Sequence, residues 1–526
     1  MARVVAVVLV VALLGLALGR LPAGPAAGGV APASVDKTAV TILGGEPVTL
    51  DPAVQGDLGS AQVTAQLFET LTAVDPSLVV QPALASGWAS ADGGRSMTFN
   101  LRPNLTFSDG SPLTAADVVR SWLRLLDPAH PSPLASLMIE IKGVSAYLAG
   151  QSTDPATIGL KADGSSIVVT FDNPATDFPA LVSGPAFGIV PASISDPATL
   201  APGTFVGSGA YVLSARTATE LTLKANPKYW AGLAPITTVH LLTTLGGNSP
   251  VEAFEAGTVD YTGIDDSDAS WLRYDATLGP QLRSVPSLSV TYYGFDVRQK
   301  PFDDVRVRQA FAQAVDWTRL VNLANSGSLT PATSMVPPGI PGRSATSFLP
   351  TYNPVAARAA LAAAGYPGGV GLPSVTLVST DTGFDGAILA DLHTNLGISV
   401  NFESMGFNDY FNRLATDPPA FWTLSWVADY PGANDFLGLL LGTGSTNNYG
   451  HWSSADFDAA IARATAATDP ATATAAFDAA QAIVQREVPV VPVAYGTGDA
   501  LARKGLLGAY DNGLGILRFA GFAWAP

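Results

Sequence analysis

Cysteine is absent from this chain of 526 residues. Its absence excludes disulfides, thiolate metal sites, a cysteine nucleophile and any lipid anchor attached through a thiol. Charge is scarce as well: 13% of residues are Asp, Glu, Lys or Arg, against about 25% in an ordinary globular protein. What charge there is leans acidic, with 27 Lys and Arg against 43 Asp and Glu and a formal net charge of −16. Phosphate backbones and anionic bilayers both select clustered cations, so neither nucleic acid nor an electrostatic membrane contact is expected. Four histidines, His130, His240, His393 and His451, lie far apart with no i, i+4 pair to face a transition metal. Asp265, Asp266 and Asp268 cluster, but Trp271 stands where a calcium loop needs its glycine. The phosphate-binding G-x-x-x-x-G-K-[ST], the nucleophile elbow G-x-S-x-G and the zinc motif H-E-x-x-H are all missing. No catalytic residue and no metal or cofactor site is expected.

Long apolar runs are also lacking. Residues 4–18, after Arg3, form the only sustained one, and it falls short of the roughly 20 residues a spanning helix needs. A basic residue followed by a short apolar run is the pattern of a secretory signal, so residues 1–35 are assigned to a signal or hydrophobic segment and a linker. Export follows as the expectation, to the periplasm or cell envelope. A chain of this length does not fit one core and calls for two or three lobes.

The remainder reads as alternating strands and helices. Met97, Phe99 and Leu101 alternate with polar neighbours as a half-buried strand does, and Ser108-Asp109-Gly110 supplies a turn. Thr114 and Asp117 have the spacing of a capping box, opening a helix whose apolar stripe is Val118, Trp122, Leu125 and Leu126. Strands are expected at 39–43, 167–171, 211–213 and 221–225. Helices are expected to carry residues 67–71, 253–256 and 355–364, and an amphipathic helix is expected to run on from the segment 301–311 to about 323. The apolar run Phe421-Trp422-Thr423-Leu424-Ser425-Trp426-Val427-Ala428 reads as a buried strand, and it ends at a carboxylate, Asp429, before Tyr430-Pro431.

The wording of residues 99–122, Asn226-Pro227-Lys228-Tyr229-Trp230, residues 301–311 and residues 456–493 resembles the family 5 extracellular solute-binding proteins of ABC importers, in the style of actinobacterial members. The resemblance covers roughly residues 38–510. It implies an α/β, bilobal, periplasmic-binding-protein-like (Venus flytrap) fold with an extra domain inserted in the first lobe. By motif order, lobe I takes residues 36–68, 194–288 and 497–526, the inserted domain takes 69–193, and lobe III takes 289–496. It implies a di- or oligopeptide ligand, an ABC permease and ATPase as partners, a monomeric receptor and no catalysis. In peptide-binding members the Asp of a Trp-x-x-Asp-Tyr stretch holds the ligand's α-ammonium, and Asp429 and Trp426 match that stretch. Ser425, Trp426, Val427 and Ala428 would pair with the ligand backbone. Gly56, Asp57 and Leu58 would face it from the other wall, and Tyr292 and Tyr293 would add an aromatic surface. The family's arginine six residues before that Asp is Thr423 here, which leaves the ligand carboxylate without its usual partner. A nickel chelate, haem, an oligosaccharide or an opine-like solute on the same fold remains open, as does a non-transport regulator of envelope assembly. Members of Gram-positive and actinobacterial origin usually carry a lipid-bearing cysteine, which this sequence lacks.

Overall fold

Apolar–polar alternation builds three larger sheets among the described residues, beside two two-stranded ones. The computed structural model describes residues 36–194, 201–324, 329–509 and 511–526. The signal assigned to residues 1–35 lies outside the described residues. In the unit Thr38–Pro526, Val40 and Ile42 of the strand Ala39–Leu43 turn inward while their neighbours stay half-exposed. That strand pairs in parallel with Thr238–Leu242 and Tyr261–Ile264 at the centre of a seven-stranded sheet. The outer strands of this sheet are Leu282–Pro286, Thr497–Ala502, Glu220–Ala225 and Tyr211–Arg216.

A six-stranded sheet runs in the order Thr330–Pro331, Val490–Tyr495, Ser289–Phe295, Phe421–Val427, Thr376–Ser379 and Asn401–Ser404. The chain passes between these two sheets twice, at residues 287–288 and at Gly496. The two passages are tied together by the Ser287 N–H donating to the Gly496 carbonyl at 2.9 Å. Two adjacent crossings with one bond between them form a narrow connection, the geometry about which two lobes can swing.

The third sheet, antiparallel and four-stranded, contains Ser96–Leu101 between Ala85–Ala91 and Ser166–Thr170. Met97, Phe99 and Leu101 face its core, joined by Val118, Trp122, Leu125 and Leu126 from the helical segment after the turn. That helix, Ala115–Leu123, starts as its capping box dictates: the Thr114 N–H and hydroxyl both donate to Asp117.

Two local expectations need correction. Residues 67–71 are not helical beyond Leu67, because the helix Leu58–Leu67 ends at an extended Phe68. The Glu69 N–H is taken by the Ser208 hydroxyl at 2.9 Å, and its carbonyl by the Ile189 N–H. Tertiary partners therefore outcompete the next helical turn. The stretch after Asp304 is two helices, Val305–Ala314 and Trp317–Ala324. Val315 is extended, and Asp316 caps the second helix by accepting from the Arg319 N–H at 3.0 Å.

Candidate ligand-binding site

The strand Phe421–Val427 lies inside its sheet at one end and at an open edge at the other. It pairs along its whole length with Ser289–Phe295, yet Thr376–Ser379 covers it only at Phe421 and Trp422. Past that point the Thr423 N–H and carbonyl are met by the Tyr410 hydroxyl. At the far end the Asp429 N–H donates to the Asp435 carboxylate at 3.2 Å. By strand parity, the backbone groups of Ser425 and Val427 point to this same edge, and among the described residues no strand pairs with them there. An extended chain laid along the edge would find those groups waiting.

A cavity of about 210 Å³ opens beside the end of this strand. Val427, Ala428 and Asp429 form one wall, and Gly56, Asp57 and Leu58 form another. The two segments matched by resemblance, one on each side of the sequence, thus meet across a single cavity. Gly184, Pro185, Leu514 and Ile516 close it. A recess of about 40 Å³ shares Ala428 and Asp429 and adds Arg518, whose guanidinium donates to the Ala65 carbonyl at 3.1 Å and lies 3.6 Å from Glu69.

Asp57 has a local duty. It caps the helix Leu58–Leu67, accepting from the Ser60 N–H at 2.8 Å and the Ser60 hydroxyl at 2.6 Å. Asp429 has no such duty. Among the described residues no donor engages its carboxyl, and burial pushes its pKa up to about 6. Asp435, wholly buried, accepts from the Trp426 indole N–H at 3.0 Å, and burial and then Asp429 hold its carboxyl well above the usual range. Asp177 accepts from the Tyr430 hydroxyl at 2.9 Å and is likewise raised by burial. Three carboxyls gather here around one tyrosine. A group of that kind favours an incoming cation over an anion.

The other expected residues fall elsewhere. Trp426 is half-buried and orients Asp435. Ser425 is exposed, bonded to the Thr291 hydroxyl at 2.7 Å, and does not line the cavity. Tyr292 and Tyr293 form no aromatic wall. Tyr292 packs edge-on against Trp422 in one core, whereas Tyr293 points through the other face and donates to Asp385 at 2.6 Å. Both sheet faces are covered, so parity sends each ring inward. Thr423 is buried and donates to the Tyr292 carbonyl at 3.1 Å. Arg413 pairs with Glu403 at 2.9 Å away from the cavity. Asp435, Asp177 and Arg518 were not anticipated. An Asp six residues after Asp429 was a visible signal for the first, but the other two are remote in sequence. Among the described residues no group of three His, Cys, Asp or Glu could hold a metal ion, and no helix is long and apolar enough to cross a membrane.

Comparison with known proteins gives a consistent pattern. Residues 79–448 match the family described as bacterial extracellular solute-binding proteins, family 5 Middle. The "Probable deoxycholate-binding periplasmic protein YgiS" of Escherichia coli is 32% identical over 466 residues, 86% of each chain. The periplasmic oligopeptide-binding protein OppA of Salmonella typhimurium is 30% identical over 515 residues, 91% of this chain and 92% of the relative. Among solved structures, the Escherichia coli murein tripeptide binding protein MppA superposes with a TM-score of 0.78 at 26% identity, covering 93% of this chain and 99% of that one.

Proposed function

Because this chain belongs to the family 5 bacterial extracellular solute-binding proteins, we propose that it is the exported receptor of an ABC importer and captures a di- or oligopeptide by its amino end beside Asp429. Its fold is the bilobal α/β flytrap with a domain inserted in the first lobe. In this reading residues 36–68, 194–288 and 497–526 make lobe I, 69–193 the inserted domain and 289–496 lobe III. Swinging about the paired crossings closes the cleft on the ligand, and the permease and ATPase then take up the closed, monomeric receptor. No reaction is performed on the ligand.

One observation carries the reading: an unpartnered carboxyl, Asp429, stands at the end of an open strand edge. A peptide supplies both complements. Its α-ammonium meets the carboxylate, and its backbone adds to residues 425–427 with no demand on side chains. A bile acid, suggested by the name of one relative, would bring its own carboxylate against Asp429, Asp435 and Asp177, with Arg518 alone to offset them. The site's charge therefore favours the peptide.

Calorimetry on four combinations tests this. Tripeptides with free and N-acetylated amino ends are titrated into the wild type and Asp429→Asn. Removing one member of a buried ion pair costs about 3–5 kcal/mol, so the free peptide should weaken more than a hundredfold in the variant. The acetylated peptide should bind the wild type poorly and lose little more. Equal binding of free and acetylated peptides to the wild type would make Asp429 a structural residue and remove the peptide assignment.

A further inference from the structure

A second cavity, of about 290 Å³, lies directly behind the ligand-binding wall. Leu137 and Leu181 belong to both cavities, and Tyr430, next to Asp429 in the chain, lines the second one. Its walls come from two parts of the molecule. Glu140 stands on the segment beside the four-stranded sheet, held by the Asp172 N–H donating to its carbonyl at 3.0 Å. Asp458 stands opposite on the helix Ala455–Ala466. The walls are pinned together by Thr176, whose N–H and hydroxyl both donate to the Thr465 carbonyl, at 3.2 and 2.8 Å. The cavity is thus walled by two parts held in contact.

The chemistry of the lining is one-sided. Glu140 is half-buried, and among the described residues nothing donates to its carboxyl or pairs with it. Asp458 accepts a single bond, from the Thr443 N–H at 3.1 Å. Among the described lining residues there is no Lys, Arg or His. Burial, then Asp177 and Asp172, push Glu140 up to about 7. A carboxyl in such a place is costly to ionise until a cation arrives from outside the chain.

We propose that this cavity is a second subsite of the ligand cleft and takes the ammonium or guanidinium of a basic side chain, so that the preferred ligands are short peptides with lysine or arginine at the first or second residue. The inference rests on the peptide reading above, and it deepens that reading by naming the ligand class. Asp429 holds the terminal amine; the neighbouring side chain passes between Leu137 and Leu181, which cover its methylenes, and its charged end reaches Glu140 and Asp458. The acidic net charge of −16 raises the local concentration of such ligands without selecting among them. Selection falls to the cavity.

The test is calorimetry with Lys-Ala-Ala and Ala-Lys-Ala against their norleucine counterparts, which keep the methylenes and lose the charge. On the wild type, lysine in one of the two positions should bind about tenfold or more tightly than norleucine. Glu140→Gln should abolish that difference and leave the norleucine affinity unchanged, with a melting temperature no lower than the wild type's certifying the fold. Glu140→Lys places an ammonium from the chain itself in the cavity and should reverse the preference. Equal, measurable binding of lysine and norleucine peptides to the wild type would overturn the subsite while the peptide reading stands. Binding of none of them would bring down both. A lysine preference that survives in Glu140→Gln would also overturn the proposal, since the cation would then be held elsewhere.

Discussion

Asp51 and Asp429 are the same residue type, the first wholly buried and the second half-buried beside a cavity, and the chain treats them in opposite ways. Asp51, with 0% of its surface exposed, receives both guanidinium nitrogens of Arg124, one at 2.9 Å, and the Ala53 N–H at 2.9 Å. Its lone pairs are used by partners from within the chain. Asp429 sits in a neighbourhood with two more carboxyls; Arg518 shares a recess with it but is bonded to the Ala65 carbonyl, and among the described residues no cation pairs with Asp429, whose carboxyl is left open to a cavity. The first arrangement holds segments together; the second leaves a carboxyl with no donor among the described residues, which is what the proposed ligand site requires. Burial of an acid therefore says little about its role, and the presence or absence of an internal cation says much.

The largest break in this comparison comes from Arg124→Ala. It strands Asp51 without its cation and should lower unfolding stability by about 3–5 kcal/mol, read by denaturant titration. A loss below about 1 kcal/mol would mean that water reaches Asp51 and that the contrast with Asp429 is only apparent.

A smaller effect is expected from pH. Asp429, Asp435, Asp177 and Glu140 have folded-state pKa values raised above their unfolded ones, Asp429 to about 6 and Glu140 to about 7. The folded state therefore binds these protons more tightly than the unfolded chain. Their contribution is fully present below the unfolded carboxylate range near pH 4 and is lost as pH rises through about 6 to 7, on the order of 1–3 kcal/mol in total. Denaturation midpoints of the ligand-free protein measured across that window should fall, whereas peptide affinity should rise as Asp429 ionises. A flat stability profile would indicate that these carboxyls are solvated.

The smallest effect sharpens the contrast from the other side. Asp429→Asn should raise the stability of the ligand-free protein at pH 7 by about 1 kcal/mol, because a buried charge beside Asp435 is replaced by a neutral amide. Melting of variant and wild type, side by side without ligand, measures it. A destabilised variant would place Asp429 with Asp51 as a structural residue.

Much of the fold was legible in sequence because its signals are local. The alternation through Met97, Phe99 and Leu101 and the Thr114–Asp117 spacing are satisfied within a few residues, and the structure keeps both. Residues 67–71 misled for the complementary reason: their helical pattern is local, but Ser208 and Ile189 are remote bonding partners that stop the helix. Tyr292 and Tyr293 misled because adjacent strand residues point to opposite faces, and a sequence does not reveal that both faces of this sheet are covered.

The sequence by itself determined the alternation of strands and helices, the strand that ends at Asp429 and the acidic balance of the chain, since each depends on composition or short-range order. Only the tertiary structure decided that Gly56, Asp57 and Leu58 would face that strand across one cavity, and that among the described residues no cation would pair with Asp429. It also decided that Asp177 would meet Tyr430 across 253 residues. A carboxyl's partner is selected by proximity in space, and for Asp429 that selection supplies no donor among the described residues.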